Sequence, residues 1–370
     1  MEVTGQNATR SNEQTIEMGR RNAAPIRRYG AGSGRARDYP GRHPRARAFH
    51  SLAWRERCRV SQILPTQTTS ERAQPRRQVM KQATLKWTPE VRFDPSPFIQ
   101  FSVGEPFMAT GLGALYDADC LSILPSIKNE VVDTVFADPP FNLGKIYGKK
   151  TNDALPDAKY LRWAKAWAAE CVRTIKPGGA FFLYNLPKWN IPLGAHLADL
   201  GMSFRHWIAV EISACMPIAG RLHPSHYSLL YYTKGKPRTF HRIRTPILKC
   251  RHCGGEVKDY GGHRDAMNPR GVTLKDVWTD VPPVRHWKYK SKERTANALS
   301  TKILDRVVEM STEPGDLVLD PFGGSGTTFA VCEAKHRRWL GMEIDYAPEI
   351  ATRLEGDEIR LHRNSDFVER

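Results

Sequence analysis

The stretch Leu317-Val318-Leu319-Asp320-Pro321-Phe322-Gly323-Gly324-Ser325-Gly326-Thr327-Thr328 constrains this chain more than any other. It reads as a strand, a glycine turn and a helix start. Glycines let a backbone take positive φ and approach a ligand closely, and a helix start offers free N–H groups. A nucleoside-triphosphate loop of this shape needs Gly-Lys-Ser/Thr, and no lysine is present. The dinucleotide pattern G-x-G-x-x-G would begin at Gly324, but its last position is Phe329. An adenosine-bearing cofactor without a pyrophosphate fits better. Glu343 closes the following strand, 23 residues beyond Asp320, where an acid grips ribose hydroxyls, with Asp345 the near alternative.

The neighbouring sequence repeats the alternation of strand and helix. Ala114–Tyr116 and Val131–Ala137 are β-rich, Ala158 to Arg173 is helical with Leu161, Trp163, Ala164 and Trp167 available for one face, and Ala180–Tyr184 is the next strand after a Pro177-Gly178-Gly179 turn. His206–Ile212 and His226–Tyr232 form a strand pair. Leu299–Met310 is an amphipathic helix with Ile303, Leu304, Val307 and Val308 inward, followed by the Asp316–Asp320 strand, a Ser325–Ala334 helix and a Trp339–Ile344 strand. Such alternation predicts an α/β fold with a doubly wound, mostly parallel sheet.

A second corner of the same kind is Asp138-Pro139-Pro140-Phe141, which ends the Val131–Ala137 strand because proline cannot continue a buried ladder. Ligands of open α/β sheets sit beyond the carboxyl ends of strands, so this corner and the glycine loop are expected to share one cleft. The residue types suit methylation of a base amine, whose lone pair is conjugated with the ring. A carboxylate and a rigid backbone carbonyl that accept its two N–H bonds favour a more nucleophilic nitrogen, and Phe141 offers a ring for an extruded base. Such stacking is worth about 1–3 kcal/mol per base, which offsets part of the cost of flipping. The competing reading is a plain strand end with Phe141 in the core.

Charge adds a partner. The 370 residues carry a net +17, unevenly spread: residues 1–86 hold 18 Lys and Arg against 6 Asp and Glu, and residues 234–294 hold 16 against 6. The remainder is mildly acidic. Residues 1–85 lack apolar periodicity and are rich in Arg, Gly, Pro, Ser and Gln, which predicts a disordered basic tail. It is open whether that tail binds nucleic acid, targets an organelle, or precedes a true start at Met80. Residues 86–233 and 296–370 read as two parts of one catalytic domain, and 234–295 as a basic module between them. No run of about 18 apolar residues exists, so no membrane span is expected. Seven scattered cysteines point to a reducing, cytoplasmic setting.

Together these residues resemble the amino-methyltransferases of DNA, which modify adenine N6 or cytosine N4, in the group whose target-amine motif precedes the cofactor loop (the beta class). Beyond the two main motifs, Asp119 within Tyr116-Asp117-Ala118-Asp119-Cys120 matches an acid that helps hold the cofactor. Lys176-Pro177-Gly178-Gly179 and His226 to Lys234 match further segments. Ser300-Thr301-Lys302 lies where the family has a cofactor-touching helix start, but Ile303 replaces its proline.

The resemblance covers about Leu112 to Leu354. It implies a seven-stranded sheet and S-adenosylmethionine as cofactor, held by Asp119, by the loop residues Asp320, Phe322, Gly323, Gly324, Ser325, Gly326, Thr327 and Thr328, and by Glu343. It assigns amine activation to Asp138, Pro139, Pro140 and Phe141, with double-stranded DNA as substrate, read through the basic segment. A cognate restriction endonuclease as functional partner is left open. Asp before Pro-Pro accompanies adenine methylation more often in this family, and Ser accompanies cytosine N4, so the resemblance implies adenine N6 as the target, with cytosine N4 the alternative. Phe141 departs from the commoner Tyr. An RNA methyltransferase and a non-catalytic DNA-binding relative are the competing classes.

Cys250-Arg251-His252-Cys253-Gly254-Gly255 has the look of a zinc knuckle, but it lacks a second cysteine pair, and only His241, His252 and His263 lie near. A reduced pair in a turn, with no metal, is the reading adopted. Trp278, Trp287, Tyr289 and Phe240 interleave with Arg and Lys; each ring suits either nucleic acid or a small core.

Overall fold

The computed structural model describes residues 92–147, 151–212, 219–247, 249–250, 252–255, 261–263, 266–282, 298–355 and 366–369. The chain divides by contact into Met1–Gln78 and Val79–Arg370, and every described residue belongs to the second unit. The basic tail, Trp287 and Tyr289 lie outside the described residues.

The main sheet has nine strands, in the order Met108–Ala109, Gly113–Asp117, Arg338–Glu343, Leu317–Asp320, Val132–Ala137, Ile175–Asn185, His226–Thr233, Ser203–Glu211 and Val277–Trp278. The expected count of seven is met by the long strands; a two-residue strand is added at each edge. Val277–Trp278, contributed by the basic segment, pairs in parallel with Ser203–Glu211, while His226–Thr233 runs antiparallel to both its neighbours. The five strands from Gly113–Asp117 to Ile175–Asn185 are mutually parallel.

Helices cover both faces, as the double winding requires. Asp157–Thr174 and Pro187–Asp199 pack on one face, and Thr301–Ser311, Thr327–Ala334 and Ala347–Glu355 on the other. In Asp157–Thr174 the buried stripe is Tyr160, Ala164, Trp167, Ala168 and Cys171, spaced as one helical face. The expected Leu161 and Trp163 flank this stripe, half-buried. Ile303, Leu304, Val307 and Val308 are all buried, as their spacing predicts.

Pro177-Gly178-Gly179 departs from expectation. It does not precede a strand as a turn but lies within Ile175–Asn185, where the register against Val132–Ala137 shifts. Gly178 takes φ 80°, its N–H donates to the Lys234 carbonyl, and a Cβ there would come within 3.0 Å of the Arg238 backbone. It is a bulge that lets the Lys234-Gly235-Lys236 turn close over the strand.

The basic segment is tied to the catalytic frame by acids. Arg242–Thr245 forms a three-stranded antiparallel sheet with Val272–Thr273 and the C-terminal Phe367–Glu369. Arg244 and Arg242 pair with Glu369, and Arg238 with Asp133 and Asp316, so part of the segment's charge is neutralised internally. Fully buried Arg306 donates from Nε to Asp366 at 2.7 Å and from both terminal nitrogens to Asp280 at 2.9 and 2.7 Å. Its guanidinium lies 5.0 Å from the centre of the Trp278 ring, which is buried core. Removing one partner of a buried ionic group strands the others. Arg306→Ala is therefore expected to cost about 3 kcal/mol, read as a lower urea midpoint; an unchanged midpoint would contradict this anchor.

Candidate active site

The two motif strands are neighbours, and this adjacency builds the site. Val318 pairs with Thr134 and Leu319 with Val135, so Asp320 and Asp138 leave the sheet side by side at its carboxyl edge. From Val132–Ala137 the chain crosses to Ile175–Asn185 on one side; from Leu317–Asp320 it crosses to Arg338–Glu343 on the other. Crossovers that diverge in this way open a crevice, the topological switch point at which α/β proteins bind ligands.

A cavity of about 300 Å³ lies there, lined by Ala118, Asp119, Cys120, Pro140, Leu155 and Tyr160 together with Trp163, Pro321, Phe322, Gly324, Glu343, Ile344 and Tyr346. Its walls are apolar and its acids few, the composition of a small-molecule site. The glycine loop is shaped from within. Gly323 donates to the Met342 carbonyl at 2.8 Å, Gly326 to Gly323 at 2.8 Å, and Gly324 and Gly326 take φ 53° and 73°. A Cβ on Gly323 would meet the Phe329 ring at 2.9 Å and Ile350 at 3.1 Å.

The expected site residues separate into two groups. Asp119, Phe322, Gly324 and Glu343 line the cavity. Asp320, Gly323, Gly326, Thr327 and Thr328 form the loop behind it. The Asp320 carboxylate accepts the Phe322 N–H at 2.9 Å and the Thr328 hydroxyl, and Arg353 donates to the Ser325 carbonyl at 2.7 Å and to Thr327 Oγ1 at 3.0 Å. Between the two candidate acids, Glu343 lines the cavity, while Asp345 is not part of its lining and donates its N–H to Glu343 at 2.8 Å. Glu343 also accepts the Gly324 N–H at 2.7 Å, which joins the acid to the loop. Asp119 caps the Cys120–Ile123 helix through the Leu121 N–H at 2.8 Å.

At the target motif the carbonyls are unequally occupied. The Tyr160 hydroxyl donates to the Pro140 carbonyl at 2.8 Å, and the Trp189 indole N–H to the Phe141 carbonyl at 2.8 Å. Asn185 donates to the Tyr160 oxygen at 3.0 Å, which turns its hydroxyl proton toward Pro140. Among the described residues, no donor reaches the Pro139 carbonyl or the Asp138 carboxylate. Phe141 stands against Tyr227 and Tyr184, with ring centres 5.4 and 6.1 Å away. Its ring packs partly against the core and continues an aromatic wall.

Electrostatics follow from enclosure. Burial, and then the negative charge of Asp320, hold Asp138 well above the ordinary carboxylate range. Burial pushes Asp320 up to about 7, opposed by its bonds from Thr328 and Phe322. Glu343 is raised by burial against three backbone N–H donors. Crowded carboxyls with raised pKa values mark functional clefts.

Sequence reasoning missed Tyr160, Trp163, Leu155, Asn185 and Trp189. Trp163, which the sequence places on one helix face, lines the cavity and meets Phe322 edge-on at 5.7 Å. Among the described residues no cluster of three metal-binding side chains occurs; Cys250 and Cys253 sit in a turn closed by the Gly254 N–H to Cys250 carbonyl bond of 2.9 Å. No helix among them is long and apolar enough to cross a membrane.

This is a doubly wound α/β protein with a nucleoside-sized cleft at its switch point and a carboxylate-proline corner at the cleft's edge. The model of the DNA methylase family matches residues 132–351, more than half of the chain, and the chain belongs to that family. Type II methyltransferase M.BamHI of Bacillus amyloliquefaciens is 51% identical over 255 residues, 69% of this chain and 60% of that protein. The chain thus spans less than two thirds of that relative's length. Type II methyltransferase M.HpaI of Haemophilus parainfluenzae is 32% identical over 234 residues, 62% of this chain and 69% of its own. DNA adenine methyltransferase YhdJ of Escherichia coli (strain K12) is 30% identical over 233 residues, 61% and 76% of the two chains. Among solved structures, the PvuII DNA methyltransferase (cytosine-N4-specific) matches with a TM-score of 0.47 and 19% identity, over 66% of this chain and 86% of that one.

Proposed function

We propose that this protein transfers a methyl group from S-adenosylmethionine to an exocyclic amine of a base in double-stranded DNA, at a specific sequence. The observation that carries the reading is a pair of acceptors that no donor among the described residues reaches, the Asp138 carboxylate and the Pro139 carbonyl. They lie beside a cavity that Pro140 and Gly324 both line. An amine carries two N–H bonds and needs two acceptors; the next two carbonyls are already taken by Tyr160 and Trp189.

The cavity fits the cofactor: apolar walls from Trp163, Phe322, Ile344 and Tyr346 suit an adenine ring, and Glu343 suits ribose hydroxyls. When bound, S-adenosylmethionine supplies an electrophilic methyl on a sulfonium. Asp138 and Pro139 accept from the amine and direct its lone pair across the cleft, while Phe141 holds the extruded base against the Tyr184 and Tyr227 wall. No covalent enzyme intermediate is needed, and buried Cys171 and Cys332 have no part in it.

Among the described residues, exposed Lys236, Lys249 and Lys275 have no acid partner and are available to meet phosphates. Adenine N6 and cytosine N4 each present two N–H bonds to these two acceptors, so the reading is carried at the level of the amine. The Type II names of two relatives make a cognate endonuclease part of the proposal.

The test is incubation with methyl-labelled cofactor and separate DNA and RNA pools, followed by digestion to nucleosides. Label in N6-methyladenine or N4-methylcytosine of DNA is expected, and the product distinguishes the two. Label confined to RNA, label at a ring carbon, or none would overturn the reading. Gly323→Ala is expected to weaken S-adenosylmethionine binding about tenfold, about 1.4 kcal/mol, by calorimetric titration, since its Cβ meets Phe329 and Ile350. Unchanged affinity would show that the loop does not shape the site.

A further inference from the structure

The loop that follows the target motif is built around a carboxylate that the proposed chemistry does not use. Asp153 is only 3% exposed. Its Oδ1 accepts the Asn142 N–H at 2.6 Å, and its Oδ2 accepts the N–H groups of Leu143 and Lys145 at 3.0 Å each. Its own carbonyl accepts the Gly144 N–H at 2.7 Å. Four successive N–H groups therefore converge on one residue. Asn142 and Gly144 take φ 55° and 68°, which curls the backbone around the carboxylate. Among the described residues no Lys or Arg pairs with Asp153, so backbone donors alone offset its burial. Asn142 closes the loop from the other side, donating to the Leu155 carbonyl at 2.8 Å and accepting the Leu155 N–H at 2.7 Å. Leu155 lines the cofactor cavity.

We infer that Asp153 is a positioning residue for methyl transfer: it orders residues 142–145 before DNA arrives, and so holds the Asp138–Phe141 corner in its amine-accepting geometry. The inference rests on the proposed function. Phe141 is fixed on one side by Trp189, through its carbonyl, and on the other by this loop, through the peptide bond to Asn142. If the loop were free, Phe141 and the Pro139 carbonyl would sample many orientations, and a displacement of about 1 Å costs on the order of a hundredfold in rate. Asp153 touches no reacting atom and acts through the backbone. Its replacement is expected to lower turnover while leaving cofactor binding intact.

The test compares full-length wild type with Asp153→Asn, and with Asp157→Asn as control. Asp157 is an exposed acid, bridged to exposed Lys188, and the loop amides bond Asp153 rather than it. Asparagine keeps the shape of Asp153, but its amino group must face at least one of the N–H donors. Expected for D153N are exchange at least tenfold faster for the amides of residues 142–145, measured by hydrogen–deuterium exchange without DNA, and kcat reduced tenfold or more. The dissociation constant for S-adenosylmethionine stays within twofold of wild type, and D157N matches wild type throughout.

Asn142→Gly, which keeps the positive φ and removes the tie to Leu155, gives the same pattern if D153N does not fold. Wild-type exchange or wild-type kcat in a folded variant would overturn the inference. So would a kcat loss that only tracks weakened cofactor binding. Exchange is read without catalysis. Absence of methyl transfer by wild type, with a protected loop that D153N releases, would refute the proposed function and leave the ordering role of Asp153 standing.

Discussion

Asp138→Ala is expected to lower methyl transfer at least a thousandfold while the affinity for S-adenosylmethionine stays within about twofold. The rate loss corresponds to about 4 kcal/mol of transition-state stabilisation. Its source is local. Asp138 and Pro139 are the acceptors left open at the corner, and alanine leaves one N–H of the amine facing an apolar wall at the moment positive charge grows on nitrogen. The cofactor cavity is lined by Pro140, Gly324 and Glu343 but not by Asp138, so binding persists. Paired measurements of labelled-methyl transfer and cofactor titration check both halves. Normal turnover by the variant would remove Asp138 from the mechanism. Because burial and Asp320 raise the Asp138 pKa, its acceptor form is lost at higher pH than for a free aspartate. The acid limb of kcat/KM is therefore expected well above pH 4, and an acid limb at the ordinary carboxylate pKa would contradict the enclosed site.

The second large effect is on stability. Asp320 has a pKa near 3.8 when unfolded and about 7 when folded. Between those values the native state holds a proton on Asp320 that the unfolded chain releases, so the contribution of Asp320 to stability is greatest at acid pH and is lost as pH rises from about 4 to about 7. A shift of about three units amounts to about 4 kcal/mol across that window. Asp320→Asn mimics the protonated acid. Its carbonyl oxygen keeps the Phe322 N–H bond, and its amino group donates to the Thr328 hydroxyl oxygen, which accepts in place of donating. Relative to wild type, D320N is expected to gain stability from pH 5 to pH 8, measured by urea unfolding without cofactor. Parallel curves for the two proteins would show that Asp320 does not carry this proton. Glu343, whose pKa is also raised, contributes a slope common to both proteins, whereas the slope of Asp138 is itself reduced in D320N because the Asp320 charge is one cause of its raised pKa.

The features that local chemistry dictates are the ones legible in the chain. Pro139 and Pro321 stop strands wherever they occur, glycines at 323, 324 and 326 mark a turn near a helix, and Ile303, Leu304, Val307 and Val308 repeat at helical spacing. The helix Pro187–Asp199 was not legible. It begins at a proline, contains Pro192 and Gly194, and forms because Trp189, Leu193 and Leu197 bury one face against the sheet. With it went Trp189, which orders Phe141. Arg306 carries no sign of burial; its acids, Asp280 and Asp366, lie 26 and 60 residues away. The C-terminal strand Phe367–Glu369 pairs with Arg242–Thr245, a contact that two short and unpatterned segments cannot announce. Asp153 looks like one more loop acid until four N–H groups are seen to meet on it.

The sequence by itself determined the doubly wound sheet, the order of its two ligand corners and the acid that closes the strand after the glycine loop, because each is written in residues close together in the chain. The tertiary structure decided that the two corners adjoin and which acceptors of the target corner stay open. Those acceptors are defined by donors 20 and 48 residues away, and hydrogen-bond satisfaction over such separations exists only once the helices have packed.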